Sequence, residues 1–174
     1  MCHSSVGKIH LMASIPHRKH PKIKALELKI HLPIVLLFCL GMAYGLTHFF
    51  PILVMPYTWF GLHWYIGASG VLVALGGIWA FRKAKTTINP TTPEKASYLV
   101  SSGIFRVTRN PMYLGMQLIL IAAIFKLGNY YGFIAAAFFN LYITQFQIKP
   151  EERIIETIFG EEYLHYKKKV RRWL

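Results

Sequence analysis

Four apolar segments alternate with polar and basic stretches along this chain. They cover residues 32–50, 64–82, 111–127 and 130–148. A helix needs roughly 20 apolar residues to span the hydrocarbon layer of a bilayer, with about 17 as the lower limit. The third segment reaches this length if its helix begins at the interface with Asn110 and Pro111. The pattern therefore predicts an all-α protein, an integral membrane bundle of about four transmembrane helices.

The composition agrees with a membrane protein rather than a soluble one. Hydrophobic residues make up 54% of the chain and charged residues 16%, which is rich in apolar and poor in charged residues for a soluble domain. The net charge of +13 does not indicate a nucleic-acid partner, because the basic residues lie between the apolar runs. The two cysteines, Cys2 and Cys39, are far apart, and no ligand spacing predicts a metal site.

The placement of the basic residues predicts an orientation in the membrane. Six of the 20 lysines and arginines precede the first segment, six lie in residues 82–109, and seven follow the fourth segment. Cytoplasmic loops carry such an excess. We therefore predict a basic cytoplasmic arm over residues 1–31, a cytoplasmic loop over residues 83–110 and a multi-pass protein with both termini in the cytoplasm. Residues 32–174 are expected to form one domain.

The C-terminal segment, residues 149–174, has a different periodicity. Pro150 suits the first turn of a helix, and Glu151 and Glu152 favour the positive end of its dipole. Five apolar and aromatic residues then recur at intervals of three or four, namely Ile155, Phe159, Tyr163, Tyr166 and Val170. This spacing predicts a single amphipathic cytoplasmic helix that lies against the membrane or the bundle.

A polar cluster opens the third segment, and it has two possible interpretations. Arg109, Asn110 and Pro111 can be an interfacial anchor, a helix cap and a first-turn proline. Glu151 and Glu152 can likewise be simple helix-start residues. The alternative is a ligand site, because the third and fourth helices form a tight hairpin and bring both clusters to the same end of the bundle.

Two stretches carry a resemblance to a known family. They are "SGIFRVTRNPMYLG" at residues 102–115 and "EERIIETIFGEEYLHYKKKVRRW" at residues 151–173. In this order, they resemble the superfamily of isoprenylcysteine carboxyl methyltransferases and phospholipid methyltransferases. The resemblance implies an integral membrane methyltransferase, with a cofactor pocket between the last helical hairpin and the C-terminal segment.

The resemblance also implies S-adenosylmethionine as the cofactor and a lipid-like methyl acceptor. Seven residues are expected to bind the cofactor: Arg109, Asn110, Pro111, Tyr113, Gly115, Glu151 and Glu152. Of these, Arg109 and Glu152 are the expected catalytic residues. Arginine suits the cofactor carboxylate, glutamate suits its ammonium or ribose groups, and the ring of Tyr113 suits the sulfonium.

The acceptor does not follow from the resemblance, because one motif position differs. The carboxyl methyltransferases usually have histidine where this chain has Asn110, and asparagine cannot transfer a proton at neutral pH. A carboxylate acceptor is favoured because it needs no base, and a phospholipid amine stays open. Two other classes also stay open: a membrane reductase of the sterol-reductase type that uses NADPH, and a non-enzymatic membrane bundle. No oligomeric state is predicted.

Overall fold

The computed structural model describes residues 31–56, 59, 61–84 and 99–174. Residues 1–30 of the predicted arm and 85–98 of the predicted loop lie outside this range. Six α-helices follow in order: α1 Leu32–Phe49, α2 Leu62–Lys83, α3 Pro111–Leu127, α4 Gly132–Ile143, α5 Lys149–Phe159 and α6 Glu161–Lys169. A short 3-10 helix, Gly103–Arg106, precedes α3. Within the described residues, extended pairing is limited to one bridge between Val54 and Asn129, so the all-α prediction is confirmed there.

The first three helices lie within two residues of their predicted bounds. Proline occupies the first turn of both α1 and α3, where its missing N–H removes no helical hydrogen bond. Gly128 ends α3 in the left-handed conformation with φ 67°, which glycine adopts without steric cost. By length and composition α1 and α2 qualify as membrane-spanning helices, and α3 is a shorter apolar helix.

The predicted fourth helix does not end at residue 148. A π-helix, Thr144–Ile148, joins α4 to α5, and the helical backbone continues through it. Pro150 explains why this turn is a wider π-helical turn. Proline has no N–H to donate to the carbonyl of Phe146, and its ring would crowd that carbonyl. The N–H of Lys149 instead bonds to the Thr144 carbonyl, five residues back. The fourth apolar segment and the glutamates after it therefore belong to one continuous helical stretch.

The prediction of a single C-terminal helix is wrong. Gly160, at φ 51° and ψ −123°, separates α5 from α6, and this left-handed φ is open chiefly to glycine. After α6 the backbone is extended at Val170. We call residues 170–174 the tail. Its Trp173 packs against the main apolar cluster, so the tail folds back onto the bundle.

The main core lies between α1, α3 and α4, and α2 packs across the outside of α3. At this crossing a Cβ on Gly115 would lie 2.6 Å from the carbonyl oxygen of Gly70 and 2.7 Å from the Ala74 Cβ, so the two backbones meet closely. The outer faces of α1 and α2 expose large apolar side chains, among them Leu37, Phe38, Trp64, Leu72 and Trp79. An apolar surface of this extent suits contact with lipid.

Candidate functional site

A buried ion pair joins the start of α3 to the start of α5. Arg109 immediately precedes the N-cap of α3, and Glu152 lies in the first turn of α5. The Nη2 atom of Arg109 is 3.1 Å from Oε1 of Glu152, and each side chain is 8% exposed. The structure thus brings together the two residues expected to be catalytic, in a place where water screens their charges little.

Glu152 has a second arginine partner that comes from the tail. The guanidinium of Arg172 donates from Nε to Oε1 at 3.1 Å and from Nη2 to Oε2 at 2.7 Å. These hydrogen bonds raise the pKa of Arg172 above its ordinary value, so the side chain stays charged. Both oxygens of Glu152 therefore accept from arginine.

The tail is also bound through its main chain to the residues before α3. The N–H of Arg109 donates to the carbonyl of Arg171 at 3.0 Å. The carbonyl of Arg172 accepts from the Thr108 hydroxyl at 3.1 Å and from the Asn110 side-chain amide at 2.9 Å. Asn110 occupies the N-cap position without making a side-chain cap bond. Its side chain instead binds the tail through the Arg172 carbonyl.

Glu151 has a separate partner, the hydroxyl of Tyr113, which donates a hydrogen bond to its carboxylate. Burial raises the pKa of Glu151 from 4.5 to about 8; the Tyr113 hydrogen bond opposes this rise, and the nearby Glu152 charge adds to it. At neutral pH this raised pKa favours the protonated carboxyl group. The adjacent glutamates thus differ in their partners: Glu152 is paired with two arginines, whereas Glu151 is hydrogen bonded to a tyrosine.

Two tyrosines of α6 complete the enclosure. Arg109 donates from Nη1 to the Tyr163 hydroxyl at 3.4 Å, and the Tyr166 hydroxyl donates to the carbonyl of Phe105 at 2.6 Å. Burial raises the pKa values of the two phenol groups well above the usual range for tyrosine, so both side chains stay neutral. The kink at Gly160 makes this possible, because it turns α6 back toward the start of α3.

Two predicted site residues lie elsewhere. Gly115 faces α2 at the close crossing. Pro111 also lies against α2, because it is the residue nearest to a Cβ placed on Gly77 of α2. Both therefore contact α2, whereas Tyr113 on the same helix is hydrogen bonded to Glu151 on α5. Of the seven predicted cofactor residues, the structure brings together Arg109, Asn110, Tyr113, Glu151 and Glu152.

Sequence reasoning did not assign four residues that the site contains: Thr108, Tyr163, Tyr166 and Arg172. Tyr163 lies on the predicted apolar face, and a buried tyrosine there needs a hydrogen-bond partner, which was an available signal. Arg172 lies in a basic run at the end of the chain, where no periodicity distinguishes a buried arginine from solvated neighbours. Thr108 has no comparable signal.

The cluster carries an excess of positive charge. Arg109 and Arg172 share one ionised carboxylate, Glu152, and Glu151 is largely neutral below about pH 8. The Nε atom of Arg109 is buried and has no hydrogen-bond partner. A buried donor without a partner is costly, and a ligand oxygen would satisfy it. Chemically, the arrangement suits an anionic group. No group of metal-ligating side chains occurs in the described part of the chain.

The sequence comparisons assign the chain to a family. The family model for phospholipid methyltransferase matches residues 58–162, which is more than half of the chain. The chain belongs to the phospholipid methyltransferase family. The match includes α2, the residues opening α3 and both glutamates. Together with two helices long and apolar enough to span a bilayer, it supports a membrane methyltransferase.

Two relatives extend this family assignment. A protein-S-isoprenylcysteine O-methyltransferase of Schizosaccharomyces pombe is 33% identical over 79 residues, or 44% of this chain and 32% of that protein. An uncharacterized protein of Haemophilus influenzae is 51% identical over 63 residues, or 36% of this chain and all of that protein. The chain thus spans about a third of the fission yeast methyltransferase. No solved structure matches.

Proposed function

We propose that this protein uses S-adenosylmethionine to methylate a lipid-like acceptor at the cytoplasmic face of a membrane. The observation that carries the proposal is Arg109, an arginine 8% exposed whose Nε atom has no partner. A buried donor without a hydrogen-bond partner is costly, and an oxygen of a bound ligand would remove that cost. The family assignment supports methyl transfer as the reaction.

The residues present fit this cofactor. Arg109 would bind its carboxylate through the unpartnered Nε, Tyr113 would offer its ring to the positively charged sulfur, and Glu151 would face its polar groups. S-adenosylmethionine supplies an electrophilic methyl group, and the electron pair of the broken carbon–sulfur bond stays on sulfur. The protein has to hold two substrates in line and exclude water, and positioning of this kind supplies much of the rate enhancement.

A carboxylate is the acceptor that we favour. It is already ionised at neutral pH, so the site need not supply a base. The protonated Glu151 adds no repulsion toward such an acceptor. On this branch methylation should slow as the pH rises through about 8 and Glu151 ionises.

An amine headgroup is the second candidate, and the raised pKa of Glu151 is the observation that favours it. An amine must lose a proton before it can attack, and a carboxyl group with a pKa of about 8 can accept a proton near neutral pH. On this branch the rate should rise with pH up to about 8. Glu151→Gln should remove that part of the pH profile on either branch.

The deciding experiment uses purified protein, S-adenosylmethionine labelled on the methyl group and a native lipid extract. We expect label in a lipid fraction, released as methanol by mild alkali when the product is an ester and retained when it is a methylamine. Arg109→Ala should abolish labelling. Lys126→Ala, which removes a positive charge from the far end of the same helix, is the matched control and should retain it. Wild-type protein that neither binds the cofactor nor labels any lipid would refute the proposal.

The proposal includes an orientation. We infer four crossings, with residues 32–174 acting as one domain and both termini on the cytoplasmic side. Single cysteines introduced at Lys169 and at Leu53 in a Cys2→Ser, Cys39→Ala background test it. An impermeant thiol reagent applied to intact cells should label position 53 and leave position 169 unmodified. The reverse pattern would overturn the orientation.

A further inference from the structure

The tail contributes one arginine side chain to the ion-pair cluster, and the family resemblance gives that side chain no role. Arg172 lies in an extended segment, 20 residues after the carboxylate that it contacts, and its guanidinium makes two hydrogen bonds to Glu152. Its side chain is 31% exposed, against 8% for Glu152. Arg172 therefore forms the outer wall of the ion-pair cluster and Arg109 the inner wall.

The backbone of Arg172 is held by hydrogen bonds that do not involve its guanidinium. Thr108 and Asn110 both donate to the carbonyl of Arg172, and Arg109 donates its N–H to the preceding carbonyl. Val170 is buried and Trp173 packs against the main core. With both its backbone and its side chain held, Arg172 has little freedom to release Glu152. We therefore expect this contact to keep the Glu152 carboxylate in one orientation.

The orientation of the Glu152 carboxylate matters because one of its oxygens, Oε1, accepts hydrogen bonds from both arginines. Oε1 accepts from Nη2 of Arg109 and from Nε of Arg172, each at 3.1 Å. Without Arg172, the carboxylate could rotate about its side-chain bonds and make a two-point contact with Arg109 alone. That contact would take up Arg109 donors and turn its guanidinium away from a ligand.

We propose that Arg172 is a positioning residue, which holds Glu152 so that the guanidinium of Arg109 stays aimed at the carboxylate of the bound cofactor. This role rests on the proposed function. It makes the tail part of the binding site, although Arg172 need not touch either substrate. Arg171, the preceding residue, is exposed and contributes only its carbonyl to the contact.

The test measures recognition of the carboxylate rather than activity alone. Dissociation constants for S-adenosylmethionine and for its decarboxylated analogue are measured by calorimetry with the full-length protein in detergent. For the wild type we expect S-adenosylmethionine to bind about tenfold more tightly, as suits a hydrogen-bonded charge pair. Arg172→Ala should bring the ratio close to one by weakening the carboxylate ligand selectively. Arg172→Lys should restore part of the ratio, and Arg171→Ala should leave it unchanged.

The outcomes separate this role from a merely structural one. If Arg172→Ala weakens both ligands by the same factor, the residue only supports the fold and the proposal is wrong. If that variant does not fold, Arg172→Lys and Thr108→Val give the same comparison, and an unchanged ratio in both refutes the role. Wild-type protein that binds neither ligand would instead remove the cofactor assignment itself.

Discussion

The two ends of the α3–α4 hairpin are stabilised in opposite ways. At the turn end the backbones interlock: Met55 donates its N–H to Gly128 at 2.8 Å, and Tyr130 donates to Leu53 at 3.0 Å. Asn129 is 2% exposed; its side chain donates to the Phe50 carbonyl and accepts from the Tyr131 N–H. At the other end, by contrast, side-chain charges and the tail hold the helices together.

The turn end supports the fold, whereas the ion-pair end has groups that can bind a ligand. The main-chain hydrogen bonds at the turn end pair neutral groups with one another. Among the described residues, the cavity there, about 280 Å³, is lined by apolar residues and glycine: Val54, Met55, Pro56, Trp59, Phe125, Leu127 and Gly128. The ion-pair end retains an excess charge and an unpartnered donor. Mutations at the turn end should therefore lower stability without changing ligand binding, whereas mutations at the ion-pair end should affect both.

The largest effect is expected for Glu152→Ala. This change leaves two adjacent guanidiniums without their carboxylate, one of them on the buried Arg109. Removing one member of a buried ion pair costs about 3–5 kcal/mol. The free energy of unfolding in detergent measures this loss, and cofactor binding should disappear with it.

A glutamate of the same helix provides the control. Glu156 pairs with Lys167 at 3.1 Å, but these side chains are 41% and 36% exposed. Exposed pairs contribute roughly 0–1 kcal/mol, so Glu156→Ala should change stability little. Equal losses in the two variants would show that the buried cluster has no special energetic role.

The next largest effect is expected at the turn end. Asn129→Ala removes two hydrogen bonds from a buried position and should cost about 2 kcal/mol. Because Asn129 lies at the opposite end of the hairpin from Arg109, the affinity for S-adenosylmethionine should stay at the wild-type value. A large loss of affinity in a folded Asn129→Ala protein would mean that the two ends do not act separately.

The last prediction concerns the proton on Glu151. Its pKa rises from 4.5 to about 8 on folding, so between these values the folded state holds a proton that the unfolded chain has lost. Stability should therefore decline as the pH rises from about 4.5 to 8. Glu151→Gln cannot lose this proton, so it should be nearly neutral below about pH 4.5, more stable than the wild type above that pH, and should flatten the decline in thermal unfolding. Glu161→Gln, at an exposed position, should keep the wild-type slope, and an unchanged slope in Glu151→Gln would contradict the assignment.

Much of the helical framework could be predicted from the sequence, because apolar runs and helix-end residues are local signals. Pro111 and Gly128 mark the two ends of α3, and its predicted and observed bounds coincide. The meeting of Arg109 with Glu152 could also be predicted, since a tight hairpin places both at one end. These features depend on short-range chemistry that the sequence displays directly.

The remaining features depend on long-range geometry. The return of the tail to α3 requires the kink at Gly160 and the exact placement of one carbonyl, which no periodic pattern encodes. Gly115 was predicted to approach the cofactor, whereas its closest neighbours are Gly70 and Ala74, because a glycine pattern does not say which surface comes close. The different states of Glu151 and Glu152 likewise arise from their neighbours in space.

The π-helix between α4 and α5 has a consequence for insertions and deletions. A π turn holds one more residue than the α-helical turn that would replace it, and each residue advances an α-helix by about 100°. Deleting one residue from Thr144–Ile148 would let the π turn become an α-helical turn, so both glutamates would keep roughly their present direction. Deleting one residue from the regular helix α4 would instead rotate the glutamates around the helix axis, away from Tyr113 and Arg109. The number of residues in α4 is therefore as much a part of the candidate site as the residues themselves.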